Sequence, residues 1–256
     1  MFKYICFYVM VITYSMGCSV NQTISQISLQ KVQLDTTLLF DSLRQRSIPI
    51  AIYQPQKQII SGKQPLIIIS HGYGQNKGGD YLVYSYLSNY LAAKGYLVAS
   101  IQHELPTDSL LPLTGIPQVV RRPFWERGAD NILFVLKYLQ KKYPNLDFNN
   151  VALIGHSNGG DMTALFPQKY PDHVAKIITL DNRRMALPKN KYPAVLSIRS
   201  SDQAADEGVL PTETEERTFN IRIIKLVNTI HNNMDDSANE IQRNEIRKLI
   251  LDFLVN

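Results

Sequence analysis

The chain has 256 residues, 45% hydrophobic, 19% charged and 9% aromatic, which supplies one sizeable core and excludes disorder, collagen-like repeats and coiled coil. Twenty-seven Lys and Arg against 22 Asp and Glu leave +5. The excess is spread along the chain in pairs such as Arg121-Arg122, Lys141-Lys142 and Arg183-Arg184, so nucleic acid is not an expected partner.

Residues 1–17 combine one cation, Lys3, with an apolar run from Tyr4 to Met16. The run is too short for a membrane-spanning helix, which needs about 20 residues, and matches the core of an export signal. The only cysteines are Cys6 and Cys18, so neither a zinc cluster nor a disulfide framework is expected to hold the fold. The leader resembles a bacterial lipoprotein signal, in which a Cys after a small residue is acylated. Gly17-Cys18 fits that pattern, whereas Ser15 and Met16 depart from it. The expectation is an exported protein anchored to the bacterial envelope by a lipid on Cys18, with 18–29 as a polar tether and 30–256 as the domain. Ordinary secretion and an uncleaved membrane tether are the alternatives.

Two strands are predicted first, Gln30 to Phe40 and Ile48 to Tyr53, joined by a polar turn. From Pro65 short apolar runs follow: 66–69, 96–99, 151–154, 177–180, 194–198 and 221–227. Amphipathic stretches alternate with them at about 80–94, 127–142, 158–167 and 237–255. Apolar strands separated by helices imply an α/β fold with a mostly parallel sheet covered on both faces. Glu104 to Trp125 contains four prolines with apolar residues between them and reads as a long irregular loop, a candidate lid over a pocket. Leu110, Leu111, Leu113, Ile116, Phe124 and Trp125 are its expected contacts to substrate.

In an open parallel sheet, ligands bind beyond the carboxyl ends of the strands, so the residue after each run is informative. Those positions hold His71, His103, Ser157, Asp181, Asp202 and His231. Ser157 lies in Gly155-His156-Ser157-Asn158-Gly159-Gly160, a G-x-S-x-G pattern between a strand and a helix. Gly155 and Gly159 are expected because side chains there would collide across a sharp turn that exposes the Ser hydroxyl. The Asn158 N–H at the helix start, and the Tyr73 N–H in Ser70-His71-Gly72-Tyr73-Gly74, are the expected oxyanion donors. His71 reads as a packing residue, and His103 as either a pocket or a structural one. Of the five histidines only His231 follows both the Ser and a strand end, which makes it the expected base. Three acids compete to orient it: Asp202 is placed first, with Asp181 and Asp206 as alternatives.

Together with Arg46-Ser47-Ile48-Pro49-Ile50 and His231-Asn232-Asn233-Met234, these segments resemble the α/β-hydrolase superfamily from about Leu38 to Leu254. Within it they are most similar to bacterial dienelactone-hydrolase-like and platelet-activating-factor acetylhydrolase-like esterases. True dienelactone hydrolases use a Cys nucleophile, which this chain lacks outside its leader, so their substrate does not carry over. The resemblance implies the α/β-hydrolase fold, Ser157 as nucleophile and His231 as base, and it leaves the acid open. The expected activity is hydrolysis of small-molecule carboxylic esters through an acyl-enzyme, with no metal and no organic cofactor. An acyltransferase with the same residues, or a non-catalytic surface lipoprotein on this scaffold, are the alternative functions.

Overall fold

The computed structural model describes residues 31–57 and 62–256. The leader, Cys18 and the tether lie outside the described residues.

The strands are β1 (Val32–Asp41), β2 (Arg46–Pro55), β3 (Gln64–Ser70), β4 (Leu97–Ile101), β5 (Leu146–His156), β6 (Lys176–Leu180), β7 (Ala194–Arg199) and β8 (Ile221–Lys225). They form one eight-stranded sheet in the order β1-β2-β4-β3-β5-β6-β7-β8. β1 and β2 pair antiparallel, as do β2 and β4, and every later pair is parallel. The helices are α1 (Ser85–Ala93), α2 (Pro117–Val120), α3 (Arg122–Lys142), α4 (Asn158–Lys169), α5 (Glu213–Phe219) and α6 (Glu240–Val255).

Two-residue alternation divides the apolar runs between two cores. Leu66 and Ile68 of β3 face one core with Leu153 and Ile177, closed by Ile132, Val135 and Leu136 of α3 and Leu165 and Phe166 of α4. Ile67 and Ile69 face the other with Ile154 and Ile178, closed by Leu87 and Leu91 of α1 and Ile246 and Ile250 of α6. Both faces of the central strands are dry, which is why these runs are continuously apolar in sequence.

The predicted helix at 80–94 is a three-residue 3-10 turn, Asp80–Leu82, followed by α1. α6 starts at Glu240, three residues later than expected, behind an Asn239/Gln242 capping box. α5 lay outside the predicted elements: it buries no residue completely and starts from another capping box, Thr212/Glu215, so local capping rather than an apolar stripe defines it.

The reading of Glu104–Trp125 as one irregular stretch is corrected. α2 starts at Pro117, and α3 starts at Arg122, so Pro123 lies in its first turn, where a missing N–H costs nothing. Trp125 is fully buried in the core rather than offered to a pocket. Leu111 is buried as well, whereas Leu110, Leu113 and Ile116 are exposed. The start of the segment is pinned down: Arg46 donates from both Nη atoms to the Asp108 carboxylate at 2.8 and 2.7 Å, and the Leu111 N–H donates to the Tyr73 hydroxyl at 3.1 Å.

Candidate active site

β5 ends at His156 and α4 begins at Asn158, so Ser157 must reverse the chain by itself. It does so at φ 52°, ψ −116°, a strained backbone for a residue with a side chain. The Ser157 N–H donates to the Leu180 carbonyl at 2.9 Å, tying the elbow to the end of β6. A Cβ at Gly155 would stand 2.2 Å from the Gly159 carbonyl oxygen. One at Gly159 would stand 2.3 Å from the Ser70 oxygen and 2.4 Å from that of His71. These are main-chain contacts that no rotamer relieves, so both positions require glycine.

The Ser157 hydroxyl lies 3.0 Å from His231 Nε2, and His231 Nδ1–H donates to Asp181 Oδ2 at 2.5 Å. Serine, histidine and acid come from the ends of β5, β8 and β6, and Asp181 and His231 are 0% and 8% exposed. The Asp181 carboxylate also accepts from Ser200 N–H at 3.0 Å and Ser200 Oγ–H at 2.7 Å. Arg199 Nη2 stands 3.0 Å from Oδ1, but its N–H is not aimed at the oxygen, so that contact is coulombic rather than a hydrogen bond. Burial works to raise the Asp181 pKa, yet the His231 bond, the Arg199 charge and the Ser200 donors outweigh it and hold the carboxyl below its ordinary range.

Asp202, placed first in the sequence reading, is corrected here. Its carboxylate accepts the His231 backbone N–H at 2.7 Å, so it braces the loop and leaves the ring to Asp181. The reason is the strand order: β6 lies directly beside β5, whereas β7 is one strand farther out. Asp181 N–H donates to the Ile198 carbonyl at 2.8 Å, and a left-handed backbone at φ 56° accompanies the turn of its side chain under the imidazole. Asp206 accepts from Gln118 Nε2 at 2.9 Å. Arg199 and Ser200, which hold the Asp181 carboxylate, are not among the residues that the sequence singled out. A cation closing an apolar buried strand needs an acid nearby, a demand that Asp181 and Asp202 could both meet, so it did not single out either.

The two expected oxyanion donors flank the Ser. A Cβ on Gly72 would be 3.5 Å from Ser157 Cβ, which places the Gly72-Tyr73 peptide beside the elbow. Among the described residues, neither the Tyr73 nor the Asn158 N–H donates to a protein acceptor. Tyr84 Oη accepts the Gly72 N–H at 3.0 Å and lies 2.7 Å from His156 Nδ1, while His156 Nε2 lies 3.1 Å from the His231 carbonyl. With Tyr84 donating to Nδ1 and Nε2–H donating to the carbonyl, His156 is neutral and connects the two loops. Burial, then the nearby His231, push its pKa down to about 3. His103 is a structural residue as well, fully buried with Nε2 3.0 Å from Ser70 Oγ, and burial pushes its pKa well down.

This geometry can now be set beside known proteins. Residues 14–109 match the family model of platelet-activating factor acetylhydrolase, isoform II. A Drosophila melanogaster protein named "Probable serine hydrolase" is 25% identical over 128 residues, 48% of this chain; the match spans 38% of that relative's length. Among solved structures, an esterase from Rhizomucor miehei superposes with a TM-score of 0.62 at 12% identity, covering 89% of this chain and 84% of that one. A dienelactone hydrolase-like promiscuous phosphotriesterase from metagenomic libraries gives 0.62 at 14% identity, covering 88% and 98%. Esterase 2 of Thermogutta terrifontis, phosphorylated by paraoxon, gives 0.63 at 11%, covering 87% and 93%. The chain has the α/β-hydrolase fold. In an α/β-hydrolase the nucleophile elbow follows a central strand, which is where Ser157 stands, and the loops beyond the parallel strands carry the other groups of the site.

Proposed function

We propose that this α/β-hydrolase is a serine ester hydrolase that cleaves small carboxylic esters through an acyl-enzyme, with Ser157, His231 and Asp181 as its catalytic residues. The observation that carries the reading is the unbroken line Ser157 Oγ, His231 Nε2, His231 Nδ1, Asp181 Oδ2, with steps of 3.0 and 2.5 Å across the ring. The serine hydrolase relative, the family match and the esterase neighbours support it.

His231 Nε2 takes the Ser157 proton as Oγ attacks the ester carbonyl, and the negative charge develops on the former carbonyl oxygen. The Tyr73 and Asn158 N–H groups, unclaimed by acceptors among the described residues and the second lying at the positive end of α4, are the donors for it. Collapse expels the alcohol, which receives the proton from His231. Water, with His231 again as base, then attacks the acyl-enzyme and releases the acid. Asp181 stabilises the imidazolium at both steps and keeps Nδ1 protonated.

The test is fluorophosphonate labelling of the wild type, Ser157→Ala and His231→Ala, alongside turnover of p-nitrophenyl acetate and butyrate. Labelling of the wild type alone is the expected result, and labelling that persists in Ser157→Ala refutes the nucleophile. The leader pattern adds export and acylation at Cys18 to the proposal. Incorporation of labelled palmitate that is lost in Cys18→Ser is the matching result.

A further inference from the structure

Glu104 is one of the least exposed acids in the described chain, at 1%, yet it plays no part in the mechanism above. It sits three residues beyond β4, against both loops that carry the oxyanion donors. Its Oε1 accepts from Asn158 Nδ2 at 2.7 Å, and Asn158 Oδ1 in turn accepts from Trp125 Nε1 at 2.9 Å. The residue whose backbone N–H serves the oxyanion therefore has both ends of its side chain fixed by buried partners. A buried amide that satisfies both a donor and an acceptor has one orientation.

The other carboxylate oxygen faces the second loop. Glu104 Oε2 lies 3.6 Å from His71 Nε2 and has no hydrogen-bond partner among the described residues. His71 Nε2 accepts the His103 N–H at 2.9 Å, which leaves the proton on Nδ1, and Nδ1–H donates to the Gly72 carbonyl at 2.6 Å. That carbonyl and the Tyr73 N–H belong to one planar peptide unit, so holding one fixes the direction of the other. Glu104 thus stands against both arms of the hole, in contact with Asn158 and next to His71. Burial raises its pKa, in keeping with a carboxyl retained for its contacts rather than for its charge.

We propose that Glu104 is the positioning residue of the oxyanion hole, setting its Asn158 arm through the hydrogen bond to the Asn158 amide. The proposal rests on the ester hydrolase reading above. It predicts that the group matters to the tetrahedral intermediate and little to the bound ester. Loss of a whole oxyanion donor lowers kcat about 10²–10³-fold, so misaimed donors correspond to roughly 10–100-fold.

The experiment compares the wild type with Glu104→Gln, Glu104→Met and Glu104→Ala on p-nitrophenyl butyrate, and measures inhibition by an aryl trifluoromethyl ketone, whose adduct with the serine places an oxyanion in the hole. Gln keeps an acceptor for Asn158. Met fills the same volume without that hydrogen bond, and it carries the test if the Ala variant fails to fold. The expected result is Gln within about 3-fold of wild type, and Met and Ala lower in kcat by roughly 10–100-fold with KM within about 2-fold. The trifluoromethyl ketone should weaken by the same factor as kcat/KM. Met with wild-type kcat and inhibitor affinity overturns the proposal, as does a loss confined to KM or a Gln variant as impaired as Met. A wild type that neither turns over esters nor labels at Ser157 would instead overturn the underlying function.

Discussion

Replacing Asp181 by Asn separates two effects that the structure places on one carboxylate. The first is catalytic. With an amide at this position, an Nδ2–H can face His231 and stabilise the tautomer that carries its proton on Nε2, the nitrogen that must accept the Ser157 proton 3.0 Å away. Loss of the correct tautomer in a Ser-His-Asp group costs about 10⁴-fold in kcat, or roughly 5 kcal/mol of transition-state stabilisation. The second is structural. Arg199, 5% exposed, would lose the acid 3.0 Å from its guanidinium and keep only the Asn182 carbonyl and side-chain oxygens. Breaking a buried pair from one side costs about 3–5 kcal/mol. Asp202→Asn is the control: that carboxylate is exposed and accepts the His231 main-chain N–H rather than the ring, so its loss should cost less than about 1 kcal/mol and less than about 5-fold in kcat. The assay is steady-state hydrolysis of p-nitrophenyl acetate, normalised to active sites by fluorophosphonate titration, with urea unfolding run in parallel. Asp181→Asn retaining a tenth of wild-type kcat, or Asp202→Asn falling as far as Asp181→Asn, would refute the assignment of the acid.

Three other outcomes follow from the same packing. Gly159→Ala drives a methyl into the Ser70 and His71 carbonyls, so the variant should lose roughly 2–3 kcal/mol in urea unfolding and at least about 100-fold in kcat/KM as the elbow separates from the Gly72-Tyr73 loop. Tyr84→Phe leaves the Gly72 N–H and His156 Nδ1 without their partner and should cost roughly 2–4 kcal/mol, read as a lower urea midpoint. Asp161 accepts the N–H groups of Arg183, Arg184 and Met185 on a single oxygen, and burial, against those donors, raises its pKa to about 6. A raised acid binds its proton more tightly folded than unfolded, so its contribution is present below the unfolded value of 3.8 and is lost as pH rises toward 6. Asp161→Asn keeps the accepting oxygen and should flatten that loss, by about 3 kcal/mol at most, when urea midpoints at pH 4 and pH 7.5 are compared.

The candidate serine and histidine were legible in the linear chain because their requirements are local. A strand-to-helix reversal over one residue demands glycine on either side of Ser157, and His231 follows a strand end after the Ser. The alternation of apolar runs with amphipathic stretches likewise announced a parallel sheet, since a strand buried on both faces has few polar positions. The acid was not legible. Asp181, Asp202 and Asp206 all follow strand ends in acceptable loops, and only the lateral order of the strands decides which carboxylate reaches an imidazole 50 residues away. That order is a property of sheet assembly, and no local pattern encodes it. Trp125 shows the same limit. Its apolar ring suits a pocket or a core equally well, and the core claimed it once α3 began at Arg122 and brought its N–H to Asn158. Residue chemistry thus determined which groups could make up the candidate site. Only the folded sheet decided which carboxylate serves it, because proximity between distant strands is set by packing both faces at once.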